Sequence, residues 1–175
     1  MPRVSETPDP TDTMEILAHP NPALKQPAGA VDPATDLDLA RLVKAMAQAM
    51  YDAPGVGLAA TQVGVQKRVI VFDLDDGLVA LCNPAIVESS EETEVDDEGC
   101  LSLPGITVPV ERFGSCVCEA LDLKGGKVRL EAEGLLARLL QHETDHLDGV
   151  LIIDRATPDE RRAAIRRYRE VNETR

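Results

Sequence analysis

The segment 134–149, GLLARLLQHETDHLDG, constrains the fold of this chain more than any other stretch of its sequence. Its apolar residues recur at helical spacing, and Gly149 is placed to end a helix. His142 and His146 are four residues apart, so a helix presents both imidazoles on one face. The segment therefore predicts an amphipathic helix that carries two histidines toward the same point.

Two interpretations of this histidine pair are open. Two surface histidines can fall at helical spacing by chance. Alternatively, H-E-x-x-H is the pattern in which two histidines bind a metal and the adjacent glutamate, here Glu143, acts as a base. We favour the metal site, because the helix also has the apolar face that a buried site needs.

A catalytic metal site commonly has three protein ligands and one open position. The chain has three histidines and none follows His146, so the third ligand has to come from upstream. His19 and Cys100 are the candidates. We favour Cys100, because a thiolate binds borderline metals well and this residue lies in a glycine-flanked, non-helical turn. The alternative for Cys100 is a buried thiol without a ligand role.

The rest of the chain predicts an α+β fold. Two hairpins are indicated by apolar runs on either side of turn residues, one at 68–74 and 78–84, the other at 115–123 and 127–133. An apolar stripe predicts a helix at 36–52. We expect a single small domain over residues 14–175, with antiparallel β-hairpins around the central histidine-bearing helix. Residues 1–13 are rich in Pro, Asp and Thr and predict a disordered N-terminal tail.

Charge and composition exclude several classes of function. A net charge of −13 argues against nucleic-acid or anionic-membrane binding, which use basic patches. No apolar run approaches the roughly 20 residues of a membrane helix, and no signal peptide is expected. We therefore expect a cytoplasmic monomer. We interpret the acidic cluster at 88–98 as a solvated segment and the basic cluster at 161–169 as an exposed helix face.

Three stretches resemble the signature motifs of a known family. GVGLAATQ at 55–62, EGCLSLP at 98–104 and QHETDHLDG at 141–149, in this order, closely resemble the three motifs of the peptide deformylases. The resemblance covers residues 14–155. It implies a small α+β fold and a hydrolase that removes the formyl group from the N-terminal formyl-methionine of newly made polypeptides.

The resemblance also implies a cofactor and a set of catalytic residues. Cys100, His142 and His146 would bind one divalent metal, Fe(II) in the cell, with Zn(II), Ni(II) or Co(II) able to replace it. Glu143 would act as the general base and acid. The side-chain amide of Gln62 and the backbone N–H of Leu101 would donate hydrogen bonds to the oxyanion.

The expected substrate is the formyl-methionine terminus of a nascent peptide, and the ribosome is a further candidate partner. Gly57 would let the peptide lie against the backbone in strand-like pairing. Val56, Leu135 and Leu139 are the candidates for the apolar pocket that receives the methionine side chain.

Two other functions compete with this prediction. A zinc-dependent peptidase would share the helix and Glu143, but it would need another third ligand and a cleft for an internal peptide bond. A deformylase-like module without activity, associated with the ribosome, would keep the fold and bind metal without turnover. Cys100 within EGCLSLP argues against the peptidase, and the intact set of Gln62, Cys100, His142, Glu143 and His146 argues against the inactive module.

Overall fold

The computed structural model describes residues 14–173, which form a mixed domain of helices and antiparallel sheets. The tail predicted at 1–13 lies outside the described residues, as do residues 174 and 175. The α+β class predicted from the sequence is confirmed. The helices and strands are α1 (Leu39–Asp52), β1 (Gly57–Ala59), β2 (Val69–Phe72), β3 (Val79–Ser89), β4 (Thr93–Gly99), β5 (Thr107–Phe113), β6 (Ser115–Leu121), β7 (Lys127–Glu133), α2 (Gly134–Leu147), α3 (Ile152–Arg155) and α4 (Pro158–Glu173).

The larger of two sheets has five strands in the order β1-β2-β3-β6-β7, and every neighbouring pair is antiparallel. Both predicted hairpins, β2–β3 and β6–β7, are present. Strand β2 has the sequence VIVF, and all four of its residues are buried. An unbroken apolar run of this length suits a strand that is covered on both faces.

Helix α2 packs on this sheet through its apolar face. Leu139, Leu140 and Leu147 of α2 belong to one buried cluster with Ile70 of β2 and Leu81 of β3. Such a cluster removes large aliphatic side chains from water, which is the main favourable term in folding. The helix that carries the histidine pair is therefore held against a rigid sheet.

Strands β4 and β5 form a separate two-stranded antiparallel sheet. Our interpretation of 88–98 as a solvated segment is confirmed for its side chains, which are exposed except for half-buried Ser90 and buried Glu98, and most of its backbone belongs to β3 and β4. The side chains of β4 are exposed with one exception, Glu98, which is buried. The acidic sequence of β4 does not predict a strand. The strand forms because its backbone groups pair with those of β5. The connection between the two strands, residues 100–106, begins with Cys100.

The ends of α2 and α4 follow the sequence signals. Gly149 has φ +74°, and a Cβ atom there would lie 2.5 Å from the carbonyl oxygen of Lys25, so only glycine fits. The capping box of α4 is present: the Glu160 N–H donates to Oγ1 of Thr157 at 3.3 Å, and the Thr157 N–H donates to Oε2 of Glu160 at 3.1 Å. Within residues 14–173, no helix combines the length and apolar character needed to cross a bilayer.

Candidate metal centre

Cys100, His142 and His146 come together at one point. One ligand atom from each lies within 4.8 Å of the others, and no other group of three or more possible metal ligands occurs among the described residues. The Cys100 Sγ to His146 Nε2 distance is 3.3 Å, and the two Nε2 atoms are 3.2 Å apart. Two nitrogens about 2.0–2.1 Å from a tetrahedral ion lie about 3.3 Å apart, and a sulfur at about 2.3 Å lies about 3.6 Å from each nitrogen, so the observed spacings are close to those around a single ion.

The alternative ligand, His19, is used elsewhere. Its ring packs edge-to-face on Tyr168 of α4, with 5.7 Å between the ring centroids. Its carbonyl oxygen accepts a hydrogen bond from the Tyr168 hydroxyl. His19 therefore has the packing role that is common for a lone histidine in a loop.

The two histidines are oriented by different surroundings. The Nδ1 atom of His142 lies 2.8 Å from Oε1 of Glu98, and this contact turns Nε2 toward Cys100. Nδ1 of His146 is buried and has no hydrogen-bond partner among residues 14–173. His146 is only 1% exposed, so packing holds its ring.

A buried network of charges surrounds Glu98. Arg112 of β5 donates to both of its carboxylate oxygens, at 2.9 and 3.0 Å, and Arg138 of α2 donates to Oε2 at 2.6 Å. Arg112 also donates to Asp145 of α2 at 2.6 Å. Burial by itself raises the pKa of Glu98, but the hydrogen bonds from His142 and Arg112 outweigh it and lower the pKa to about 2.

Sequence reasoning missed most of this network. It gave Glu98, Arg138 and Asp145 no role. The available signal was position: Glu98 lies two residues before Cys100, and Asp145 lies inside the H-E-x-x-H segment. Only the fold shows that Arg112 joins them.

Glu143 lies beside the three metal-ligand candidates. Its Oε1 is 3.9 Å from Nε2 of His142, and its Oε2 has no hydrogen-bond partner among the described residues. Burial raises the pKa of Glu143 to about 7, although the neighbouring His142 lowers it. A carboxyl group with this pKa can accept and return a proton near neutral pH.

The G-x-G stretch makes room for these groups. A Cβ atom at Gly57 would lie 2.8 Å from Oε1 of Glu143, and one at Gly55 would lie 2.6 Å from Cδ1 of Leu101. The glycines therefore let the carboxylate and the Leu101 side chain approach the backbone closely. This requirement could not be foreseen from the spacing of the glycines.

Gln62, in a short 3-10 helix (Ala60–Val63), and Leu101, in the loop after β4, approach the same point. Oε1 of Gln62 accepts a hydrogen bond from the Ala59 N–H at 3.0 Å, which directs Nε2 toward Sγ of Cys100 at 3.8 Å and Oγ of Ser102 at 3.1 Å. The N–H of Leu101 donates to no described residue. Both groups are placed as donors beside Cys100.

An open cleft of about 670 Å³ leads to this point. Every predicted site residue except His146 lines it: Val56, Gly57, Gln62, Cys100, Leu101, Leu135, Leu139, His142 and Glu143. Val56 is 53% exposed and Leu135 64%, whereas Leu139 is 6% exposed and forms part of the core. The cleft thus has apolar groups at its mouth and polar groups at its base.

A cysteine and two histidines around one point, with a buried carboxylate beside them at the base of a cleft, define the kind of site that metal-dependent hydrolases have. A model of the polypeptide deformylase family matches residues 13–162. The chain belongs to this family. It is a hydrolase of the deformylase class, and its function is the removal of the N-formyl group from nascent peptides. Members of the family use a divalent metal.

Similarity extends over most of the chain. A peptide deformylase of Acidothermus cellulolyticus is 49% identical over 152 residues, which cover 86% of this chain and 82% of that protein. A peptide deformylase of Rhizobium meliloti is 45% identical over 165 residues, 91% of this chain and 94% of that protein. The crystal structure of a peptide deformylase from Legionella pneumophila superposes with a TM-score of 0.86 at 38% identity, covering 93% of this chain and 96% of that chain.

Proposed function

We propose that deformylation takes place at the base of the cleft, where Cys100, His142 and His146 hold one divalent ion. The convergence of these three donors beside Glu143 is the observation that carries the proposal. When bound, such an ion supplies Lewis-acid polarisation of the formyl oxygen and a water molecule of lowered pKa. The remaining steps belong to side chains and backbone groups of this chain.

Glu143 moves the proton. Its carboxylate accepts a proton from the attacking water and delivers it to the nitrogen of the leaving amine. The C–N bond to the formyl group then breaks, which gives formate and a free N-terminal methionine. Gly57 is essential to this geometry, because any side chain there would displace the carboxylate.

Gln62 and Leu101 stabilise the oxyanion of the tetrahedral intermediate. The Nε2 of Gln62, in the 3-10 helix Ala60–Val63, and the N–H of Leu101, in the loop after β4, both lie beside Cys100. Donors that are already oriented need no reorganisation during the reaction, and removal of one costs on the order of 10²–10³ in rate. The hydrogen bond from the Ala59 N–H to Gln62 supplies this orientation.

The cleft binds the formylated terminus of a new polypeptide. Val56, Leu135 and Leu139 form the apolar surface for the methionine side chain, and the backbone at Gly57 pairs with the peptide. Leu139 is the inner wall of this pocket, because it is buried while the other two are exposed. We infer a monomer acting in the cytoplasm on chains that leave the ribosome; gel filtration and cell fractionation test these two points.

We infer that Fe(II) is the physiological ion, as the deformylase resemblance implies. One thiolate and two imidazoles also suit Zn(II), Ni(II) and Co(II). Anaerobic purification followed by metal analysis tests this inference. Iron in the protein, loss of activity in air and recovery with Ni(II) or Co(II) are expected; zinc in an air-stable active enzyme would contradict it.

The central experiment measures deformylation of formyl-Met-Ala-Ser by the metal-loaded protein. Glu143→Gln should keep the metal and lose turnover by at least about 10², because the base is removed while the shape is kept. Glu133→Gln, an exposed glutamate next to α2, is the matched control and should keep full activity. Undiminished activity of Glu143→Gln would exclude this glutamate as the base.

The same assay separates the competing functions. A peptidase would cleave an internal peptide bond of an unformylated peptide, and an inactive module would bind metal without any turnover. Cys100→Ser should lose the metal together with activity, because a hydroxyl is a much poorer ligand than a thiolate. Full metal content in Cys100→Ser would remove this cysteine from the site.

A further inference from the structure

The loop of residues 100–106 forms one wall of the cleft and has little structure of its own. Leu101, Leu103, Pro104, Gly105 and Ile106 line the cleft from this loop. Its internal backbone hydrogen bond runs from the Leu103 N–H to the carbonyl oxygen of Cys100, at 2.9 Å. The shape of this wall therefore depends on contacts from outside the loop.

The last turns of α4 make such contacts. The side-chain amide of Asn172 donates from Nδ2 to the carbonyl oxygen of Pro104 at 3.1 Å. The same atom donates to the carbonyl oxygen of Tyr168, one turn earlier in α4, at 2.8 Å. The second bond fixes the amide on the helix, so the first can hold the loop at a defined distance. Arg167 donates to the carbonyl oxygen of Thr107 at 3.1 Å, just beyond the loop.

The backbone of the loop also lies directly against α4. Gly105 has φ +87°, and a Cβ atom there would be 2.6 Å from Cγ1 of Val171. A residue with a side chain would be strained in this conformation and would push against Val171. The close approach of the two elements therefore depends on glycine in the loop and on the side chain of Val171.

A second connection runs from α4 to the part of the loop nearest the metal centre. The hydroxyl of Tyr168 donates to the carbonyl oxygen of His19 at 2.8 Å, and the His19 N–H donates to the carbonyl oxygen of Ser102 at 2.8 Å. Ser102 in turn accepts a hydrogen bond from Nε2 of Gln62. The whole loop thus lies between α4 and the donors at the base of the cleft.

We propose that Asn172 is a positioning residue for substrate binding: it holds the Pro104 carbonyl and thereby fixes the cleft wall against α4. The proposal rests on the function proposed above, in which this cleft binds the formylated peptide. Asn172 lies outside the cleft lining, so it acts through the loop and not by touching substrate. Freed from Asn172, the outer part of the wall around Pro104 would sample positions that bind the peptide less well. Glu143, His142 and His146 stay in place on α2, and the backbone hydrogen bonds from Leu103 to Cys100 and from His19 to Ser102 still hold the start of the loop.

Asn172→Ala and Asn172→Asp test this role, with the metal-loaded full chain and formyl-Met-Ala-Ser. The aspartate keeps the shape but replaces the donor by an acceptor facing the Pro104 carbonyl. Loss of one hydrogen bond corresponds to a rise in KM of about 3–10-fold, and we expect it in both variants. We expect kcat to change less than about 2-fold and the metal content to stay the same, because the Leu103–Cys100 and His19–Ser102 backbone hydrogen bonds still hold the part of the loop that carries Cys100 and Leu101.

Matched variants separate positioning from a general loss of stability. Arg166→Ala, on the exposed side of α4, should leave KM unchanged, whereas Arg167→Ala should raise it slightly. Kinetics are measured at a temperature where circular dichroism shows every variant folded. A purely structural role would lower Tm and leave the KM of the folded enzyme unaltered, and this result would overturn the proposal.

Val171→Ala provides a second test if the Asn172 variants do not fold. It shortens the side chain that contacts Gly105, and a raised KM with unchanged kcat is again expected; an unchanged KM overturns the proposal. Failure of the wild-type protein to deformylate the peptide would instead refute the proposed function. The two failures are therefore distinguishable.

Discussion

The two sheets of this protein are attached to α2 by different forces. The five-stranded sheet packs on the helix through aliphatic side chains such as Ile70 and Leu81, which are fully or almost fully buried. The two-stranded sheet is joined to α2 through charges: Glu98 and Arg112 are 6% and 5% exposed, and they pair with one another and with Arg138 and Asp145 of α2. Apolar packing supports the helix as a whole, whereas the charged network sets the orientation of one imidazole.

This difference matters because buried charges and buried hydrocarbons respond differently to change. A buried ion pair adds little net stability when complete, but removing one partner leaves an uncompensated charge in a medium of low dielectric constant. A buried aliphatic side chain contributes in proportion to its area and tolerates a small reduction in size. The two attachments can therefore be distinguished by mutation.

Removal of Arg112 should have the largest effect. Arg112→Met keeps much of the side-chain length but leaves Glu98 and Asp145 without their shared partner, so we expect a loss of about 3–5 kcal/mol in the free energy of unfolding. Denaturant unfolding followed by circular dichroism measures it. Arg129→Met, which removes an exposed arginine paired with Glu119 on the large sheet, should cost less than about 1 kcal/mol. Equal losses in both variants would contradict the distinction between the two sheets.

The second-largest effect is expected in the acid dependence of stability, to which the charged network contributes and the apolar packing does not. The pKa of Glu98 is about 2 in the folded protein and 4.5 in the unfolded chain. The ionised form of Glu98 therefore stabilises the fold fully above about pH 4.5. This contribution is lost as the pH falls from 4.5 to 2, since the unfolded chain takes up the proton first. Glu98→Gln should therefore flatten the fall in unfolding free energy over this range, measured with a chelator present. Glu94 is an exposed residue of the same strand, so Glu94→Gln should leave this pH dependence as it is in the wild type. If the unfolding free energy of Glu98→Gln fell with pH as steeply as that of the wild type, the ionised Glu98 would not be the cause.

The smallest effect is expected in the large sheet. Ile70→Val removes one methylene from a fully buried residue of β2 and should cost about 0.5–1.5 kcal/mol. The acid dependence of stability should stay as in the wild type, because no ionised group is touched. A change in that dependence would mean that the two attachments are coupled.

The same contrast explains which parts of the fold could be predicted. Strand β2 was predicted because VIVF is an apolar run bounded by turn residues. Strand β4 was not, because TEVDDEG lacks the alternation of a half-buried strand: its single buried side chain is a glutamate. An acidic strand becomes stable only when Arg112 and Arg138 neutralise Glu98, and these residues lie 14 and 40 positions away in sequence.

The candidate site divides in the same way. His142 and His146 were predicted to share one face because they are four apart on a helix, which is local geometry. Cys100 was favoured over His19 from thiolate chemistry and its position in a glycine-flanked turn, and the family resemblance implied the same ligand. The structure brings Cys100 to the histidine pair and gives His19 to Tyr168. Gly57 was predicted to make room for a peptide, and the structure adds a second reason, the approach of Glu143.

The amino-acid sequence by itself determined the helix with its two histidines, the hairpins of the large sheet and, through three motifs, the family. These features depend on neighbours within a few positions of one another, so their physical causes are visible in a linear pattern. Only the tertiary structure shows that β4 and β5 form a second sheet, that a charged network lies behind His142, and that the 100–106 loop packs against α4. Such features arise where groups distant in the chain meet out of water, and the strength of a hydrogen bond or charge pair there depends on burial that only the complete fold creates.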